Sequence, residues 1–295
     1  MSDTHHIRSA AQPAETSASV EDVLYSLLGS TMSGNEGASV TLEAARYHLA
    51  SGGKRVRAQL GQRCSVALGV SPADGALIGA VAELIHNASL VYDDLQDRDR
   101  TRRGAEAVWV RFGPDIALCT GALLLSAAYG ALARLSQPER VADLVAQTHR
   151  RTAHLIHGQT ADLASADSQG LTTAAYEQIA TDKSGVLFAL PLELALRYAG
   201  RSDLVDRARR AANAFAVGYQ IADDLSDVDA DAAAGRERLN YVLLLKQVHN
   251  DAEAVSFARR RSLSLLAEAG EHANALPEGA GELLAELARR LAADV

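Results

Sequence analysis

Two clusters of aspartates are the residues of this sequence whose types and spacing most clearly allow chemistry. The first comprises Asp93, Asp94 and Asp97, and the second comprises Asp223, Asp224 and Asp227. Both have the pattern D-D-L-x-D and follow an apolar stretch. Residues four positions apart lie on one face of a helix, so the first and last aspartate of each cluster project the same way. Like charges at that spacing repel each other, and a sequence that creates this repulsion twice requires a compensating cation.

The side chains favour Mg²⁺ as that cation, because carboxylate oxygens without adjacent histidine or cysteine are typical Mg²⁺ ligands. An EF-hand calcium loop is the sharpest alternative, since Asp227 and the two alternate aspartates after it occupy its first three ligand positions. The glycine position of such a loop is Ala232 and its final glutamate position is Arg238, which excludes a standard EF-hand. A solvated acidic helix end would explain one cluster more readily than two.

Two basic segments accompany the aspartates. Arg102 and Arg103 follow the first cluster, and the upstream segment SGGKRVR carries Lys54, Arg55 and Arg57. Guanidinium groups bind phosphate oxygens in a bidentate manner. SGGKRVR alone is equally consistent with a helix cap that bears surface cations. Together with the carboxylates, the basic segments indicate a diphosphate substrate bridged by Mg²⁺.

Helical periodicity dominates the chain that must position these side chains. Of the 295 residues, 48% are hydrophobic, only 4% are aromatic and six are proline, so the long Ala- and Leu-rich stretches favour helix. We predict an all-α single domain of ten or more helices at residues 19–295, after a flexible tail at residues 1–18. One helix is predicted to end near Ser51, and another to begin at Ser71-Pro72.

Composition excludes several other classes of protein. A net charge of −8 argues against a general binder of nucleic-acid backbones. Cys64 and Cys119 lie in apolar contexts and are predicted to be buried thiols, not a disulfide. The N-terminus lacks the apolar segment of a secretory signal, and we expect a cytoplasmic protein. The uncharged stretch from Ile116 to Ala133 is predicted to be a buried central helix, because small residues fill it, so we expect no transmembrane segment.

The chain resembles the trans-isoprenyl diphosphate synthases, the polyprenyl synthetase family, and most of all the geranylgeranyl diphosphate synthases. The resemblance runs from about Ala45 to about Asp231 and includes, in the family's order, SGGKRVR, ELIHNASLVYDD, DDLQD followed by RRG, HGQTADL, DKSGVLF and GYQIADDLSD. It implies an isoprenoid synthase helical bundle around a central cavity, with the two aspartate-rich helices facing each other across it. It also implies a homodimer.

The resemblance assigns roles to individual side chains. The diphosphate of isopentenyl diphosphate would be held by Lys54, Arg57, His86 and Arg103. The allylic diphosphate would be contacted by Arg102, Lys183, Ser184 and Gln220. Mg²⁺ would be ligated by Asp93, Asp97 and Asp223, with Asp94 and Asp227 assisting. His86 precedes Asp93 by two helical turns and so is predicted to face the same cavity, although a histidine at such a position is otherwise more often a core residue.

The implied reaction is an ionisation-driven condensation, and small residues predict its product. In the family, bulky side chains four and five positions before the first aspartate close the floor of the cavity. Here Ser89 and Ala88 occupy those positions, and both are small. We therefore predict a product of about twenty carbons, geranylgeranyl diphosphate, with the floor set by these two residues.

The chain departs from the family pattern in places. The family's Gly-Asp pair in the uncharged helix is Gly121-Ala122 here, and the proline after GGKRxR is Ala58. After the second cluster the family has a loop with glycine and lysine, but this chain has no lysine before Lys246. Arg236 or Arg238 is predicted to replace that lysine over the allylic diphosphate.

Two other functions compete with chain elongation. One is a class I terpene cyclase, or a prenyltransferase with another acceptor, which would use the same cation chemistry without isopentenyl diphosphate. The basic residues assigned to a second diphosphate argue against it. The other is a non-catalytic subunit of a heteromeric synthase, against which the two intact aspartate clusters argue.

Overall fold

The computed structural model describes residues 20–29, 39–165, 171–233 and 240–295. Within them lie thirteen α-helices. They are α1 (Val20–Gly29), α2 (Val40–Ala50), α3 (Val56–Ala67), α4 (Pro72–Gln96), α5 (Val108–Phe112), α6 (Pro114–Leu132), α7 (Pro138–Ser165), α8 (Thr173–Ala180), α9 (Val186–Tyr198), α10 (Val205–Ala233), α11 (Tyr241–Lys246), α12 (Asp251–Asn274) and α13 (Glu282–Asp294). The all-α prediction is confirmed. The predicted tail at residues 1–18 lies outside the described residues.

The ends of the helices follow the capping signals of the sequence. The Ser71 side chain caps α4 by accepting a hydrogen bond from the Asp74 amide at 3.1 Å, and Pro72 occupies the first turn. α2 ends at Ala50, and the chain turns at Gly52 with φ of 93°. Both predicted boundaries, near Ser51 and at Ser71-Pro72, are confirmed.

Helix α4 is the central element of the bundle. It packs against α3, α6 and α9, and its Ala-, Gly- and Leu-rich sequence lets those helices approach on several sides. α9 is also almost wholly buried, including the carboxylate of Glu193. That carboxylate accepts hydrogen bonds from Arg151 Nε at 2.6 Å and Gln147 Nε2 at 2.5 Å on α7, which offset the cost of burying it.

Helix α6, the uncharged stretch, has one buried face and one exposed face. Both α4 and α6 are long and apolar enough to cross a membrane. In the apolar 18-residue stretch of each helix, however, 72% of α4 and 44% of α6 is buried inside the protein. The outer face of α6 exposes Cys119 and leaves Leu118 50% exposed. The prediction of a buried thiol is therefore wrong for Cys119, because this residue falls on that outer face, and correct for Cys64.

A two-stranded hairpin, which the sequence analysis did not predict, follows α4. Strand β1 (Thr101–Arg102) pairs antiparallel with β2 (Ala105–Glu106). Arg103 and Gly104 form the turn, with φ of 53° and 79°. Positive φ at both central residues is the geometry of a two-residue turn between antiparallel strands. The hairpin folds the two arginines back toward the first aspartate cluster.

Candidate active site

One cavity of about 240 Å³ brings together residues from most of the predicted groups. Its charged and polar lining includes Arg57 of α3, His86 and Asp93 of α4, and Lys183 and Ser184. The last two belong to a single π-helical turn (Thr181–Gly185) that joins α8 to α9. Basic residues predicted for one diphosphate, residues predicted for the other and the first metal carboxylate thus line the same space.

The rest of the lining is largely apolar or small. Ala88 and Ser89 belong to its α4 wall, Leu125 to α6, and Leu155 and Ile156 to α7. The Ser89 hydroxyl donates to the backbone carbonyl of His86 at 2.8 Å, so this small side chain lies against its own helix. Both side chains at the predicted floor positions are therefore small, and neither projects far into the cavity.

A second cavity of about 530 Å³ lies beside the first. Asp97 and Asp99 line it after α4, Gln220 lines it from α10, and Lys183 and Ser184 of the π-helical turn also reach it. The π-helical turn therefore borders both cavities. Lys183 Nζ donates to Asp162 Oδ2 at 2.7 Å, a carboxylate from the HGQTADL segment that the sequence analysis left without a role.

Burial and neighbouring carboxylates disfavour the ionised side chains of the first aspartate cluster. Burial raises the pKa of Asp93 to about 6, Lys183 opposes the shift, and Asp97 adds to it. Burial also raises the pKa of Asp97, with Asp162 as a further acidic neighbour. Asp97 caps α4 with its amide bonded to the Asp93 carbonyl at 2.8 Å, so the two carboxylates keep helical i, i+4 spacing. Oxygen ligands that repel one another fit a divalent cation such as Mg²⁺.

The middle aspartate of each cluster differs from its neighbours in burial. Asp94 is 1% exposed, and its Oδ1 accepts a hydrogen bond from Arg102 Nε of the hairpin at 2.8 Å. Asp224 is 4% exposed, and its Oδ2 accepts from the hydroxyl of Tyr176 and, at 2.7 Å, from the amide of Tyr241. Each middle carboxylate thus fastens neighbouring chain segments to its own helix.

The outer aspartates of the second cluster, Asp223 and Asp227, are exposed on α10. Among the described residues, no three carboxylate, histidine or cysteine side chains converge as a complete set of metal ligands. Mg²⁺ commonly binds through one or two carboxylates and completes its shell with substrate phosphates and water. The donors here fit that mode. Arg236 and Arg238, predicted to cover the allylic diphosphate, lie outside the described residues.

The basic segments meet at one side of the site. Arg103 donates a hydrogen bond to the Gly52 carbonyl, so the hairpin turn rests on the loop that precedes α3. Lys54 is exposed on that loop. Arg57 lies deeper, 4.4 Å from the centre of the Phe188 ring, and burial lowers its pKa to about 10. His86 faces the same arginines, and burial followed by the charge of Arg57 holds its pKa well below the ordinary value.

A buried network beneath this basic surface was missed by the sequence analysis. Glu83 of α4 is 2% exposed and accepts from the Ala58 amide at 3.3 Å and from Asn87 Nδ2 at 3.1 Å. Arg55, at φ of 48°, lies 3.6 Å from the Glu83 carboxylate and donates to the Leu49 carbonyl at 2.6 Å. Arg55 therefore holds the loop, whereas Arg57 faces the cavity. Glu83 lies among apolar residues of α4, and this pattern was the available signal that the acid is buried and paired.

His48 of α2, beside this basic surface, makes the stability of the protein depend on pH. The side chain is 2% exposed, and burial and the nearby Arg103 lower its pKa to about 4. The unfolded chain, with a histidine pKa of about 6.5, binds the proton more readily, so stability falls as the pH drops from about 6.5 through 4. Between pH 7 and pH 4.5, wild type should lose about 2.5 kcal/mol of unfolding free energy through this histidine. His48→Gln has no imidazole at this position and should not show that loss.

Urea unfolding of both proteins at the two pH values measures this difference. The same substitution at His154, which is exposed on α7, serves as the control. An equal loss of stability in wild type and His48→Gln would show that His48 is not held neutral by the fold.

Comparisons with known proteins agree with this architecture. The model of the polyprenyl synthetase family matches residues 38–238, which is more than half of the chain. A short chain isoprenyl diphosphate synthase of Methanothermobacter thermautotrophicus is 30% identical over 191 residues, covering 64% of this chain and 59% of the relative. A geranylgeranyl pyrophosphate synthase of Geoglobus acetivorans is 26% identical over 228 residues, covering 74% of this chain and 72% of the relative.

Solved structures share the fold over nearly the whole chain. The geranylgeranyl pyrophosphate synthetase structure from Geoglobus acetivorans superposes with a TM-score of 0.83 at 23% identity, covering 92% of this chain and 96% of that one. At this identity the likeness shows the fold. The sequence alignment to the Methanothermobacter relative covers only about three fifths of that protein's length, so its activity does not transfer by alignment alone.

Proposed function

The chain belongs to the polyprenyl synthetase family, and from this premise we propose that it is a Mg²⁺-dependent trans-prenyltransferase that condenses isopentenyl diphosphate with an allylic diphosphate. The observation that supports the proposal is a cavity lined both by charged side chains, among them Arg57, Asp93 and Lys183, and by apolar side chains, among them Leu125, Leu155 and Leu187. A substrate with an anionic head and a hydrocarbon tail matches this polarity.

We assign each diphosphate its own set of basic and polar side chains. Isopentenyl diphosphate takes Arg57, Arg103, His86 and the exposed Lys54, of which Arg57 and His86 line the first cavity. The allylic diphosphate takes Lys183, Ser184, Arg102 and Gln220, of which Lys183, Ser184 and Gln220 line the second cavity. Asp93, Asp97 and Asp223 would hold Mg²⁺, with Asp227 assisting. Asp94 would act mainly through Arg102, whose guanidinium it orients.

In the proposed reaction, the bond between the allylic C1 and the diphosphate oxygen breaks, leaving an allylic carbocation. When bound, Mg²⁺ neutralises the charge that develops on the departing diphosphate. Lys183 and Arg102 stabilise the same charge with groups already oriented in the folded protein. The double bond of isopentenyl diphosphate attacks C1, and a proton passes from the new cation to the released diphosphate. Apolar side chains such as Leu125 and Leu155 exclude water that would quench the cation.

The test of this proposal is direct. Purified protein is incubated with Mg²⁺, isopentenyl diphosphate and allylic primers of five, ten or fifteen carbons, and products are resolved by length. Prenyl diphosphates longer than the primer support the proposal. A cyclic hydrocarbon, or no consumption of isopentenyl diphosphate, would favour the competing functions.

We also propose a product of about twenty carbons, because Ala88 and the retracted Ser89 leave the floor low. Ser89→Phe should add a ring at this position and shorten the main product by at least one five-carbon unit. Product length by chromatography is the measurement, with Ser202→Phe, at an exposed position shortly before α10, as the control. An unchanged product in Ser89→Phe would mean that another residue sets the floor.

A homodimer and a cytoplasmic location stay predictions. The outer face of α6, where Leu118 is 50% exposed and Cys119 is exposed, supports a second copy against this helix. Sedimentation of the purified chain tests that assignment.

A further inference from the structure

Tyr92 is the largest side chain of α4 that lines the 240 Å³ cavity, and it lies beside the predicted floor residues Ala88 and Ser89. It follows Ser89 by three positions and Ala88 by four, so it lies one helical turn closer to Asp93 on the same side of α4. It is partly buried against the core. A growing prenyl chain must pass its ring before it reaches the floor residues.

The ring occupies a notch in α6 that exists because residue 121 has no side chain. A Cβ built on Gly121 would lie 2.6 Å from Cε1 and 2.8 Å from Cε2 of the Tyr92 ring, closer than real Cβ contacts occur. Gly121 is buried, and Leu125, one turn further along α6, lines the cavity. The notch therefore opens on the same face of α6 that borders the cavity.

From this geometry we infer that Tyr92, seated in the notch at Gly121, is a determinant of product length that acts above the floor at Ser89. While the ring lies in the notch, the passage along α4 and α6 stays open. A side chain at residue 121 displaces the ring into that passage and narrows it. The inference rests on the proposed function, because it concerns the length of that reaction's product.

Three variants test it through the product length, measured with isopentenyl diphosphate and a ten-carbon allylic primer. Gly121→Ala should shorten the main product by five carbons or more, because the new Cβ expels the ring from the notch. Tyr92→Ala should keep the wild-type product length, because the ring does not obstruct the passage while it lies in the notch and the floor at Ser89 is unchanged. The double variant should match Tyr92→Ala, because no ring is left to displace, and this non-additivity is the signature of direct contact.

Gly130→Ala is the matched control. It lies on the same helix, and a Cβ there meets nothing within 4 Å, so the same substitution should leave product length as in wild type. Gly121→Ala with wild-type product length overturns the inference, since the ring then moves outward or the notch widens. A shortened product in the double variant overturns it as well, and this arm stands even if Gly121→Ala alone does not fold, because the double variant has no ring to clash with the new Cβ.

The two proposals fail in distinguishable ways. If wild type forms no prenyl diphosphate, the proposed function is wrong. If wild type elongates the primer but Gly121→Ala keeps its product length, only the role of this pair is wrong.

Discussion

Asp93→Ala and Asp223→Ala are each expected to lower turnover about 10³-fold or more while leaving the protein folded. Such a loss corresponds to about 4 kcal/mol of transition-state stabilisation, which is plausible for removal of a metal-binding carboxylate. Stability should not fall, because the raised pKa of Asp93 means that its ionised form is disfavoured by folding. Near neutral pH, removing this carboxylate relieves a desolvated charge that repels Asp97.

Steady-state turnover at saturating Mg²⁺ and substrates, together with urea unfolding, separates the two effects. Asp115→Ala is the matched control, because this carboxylate is exposed at the start of α6, on another helix from either cluster. Wild type should also lose its activity in excess chelator and regain it with added Mg²⁺. Activity within tenfold of wild type in both variants would remove the aspartate clusters from the mechanism.

The helical scaffold and the outer aspartates of the first cluster were predictable from sequence because they depend on local geometry. An i, i+4 pair shares a face wherever it sits in a regular helix, and Asp93 and Asp97 keep that spacing even at the end of α4. The Ser71 cap was readable because its hydrogen-bond partner is three residues away. His86 and Asp93 share a cavity for the same local reason, two turns of one helix.

The roles of the middle aspartates could not be predicted from local geometry. The spacing shows that they face another side of the helix from the outer aspartates, but their hydrogen-bond partners are set by tertiary structure. Asp94 meets Arg102 only because an unpredicted hairpin turns at Arg103. The partner of Asp224, Tyr176, is 48 residues away. The resemblance made Asp94 an assisting Mg²⁺ ligand and gave Asp224 no role, whereas the fold buries both of these middle carboxylates as anchors.

The anchor role of Asp224 leads to the largest expected effect on stability. Its side chain accepts from Tyr176, from the Tyr241 amide and, at 3.3 Å, from Gln220 Nε2, and Asn240 Nδ2 donates to its backbone carbonyl at 2.9 Å. These bonds fasten α8 and the start of α11 to α10. Burial and then Asp224 raise the pKa of Tyr176, so its hydroxyl stays protonated and available as donor.

Asp224→Ala should therefore lower the free energy of unfolding by roughly 3–5 kcal/mol, because it leaves the Tyr176 hydroxyl and the Tyr241 amide buried without an acceptor. Asp224→Asn, which keeps an acceptor oxygen, should lose less. Asp223→Ala is the matched control one position away on α10: it should lose activity without losing stability, the opposite pattern. Urea unfolding and turnover measured on all three variants distinguish the roles. If Asp224→Ala unfolds at the same urea concentration as Asp223→Ala, Asp224 does not anchor α10, and the division of the cluster into ligands and anchor fails.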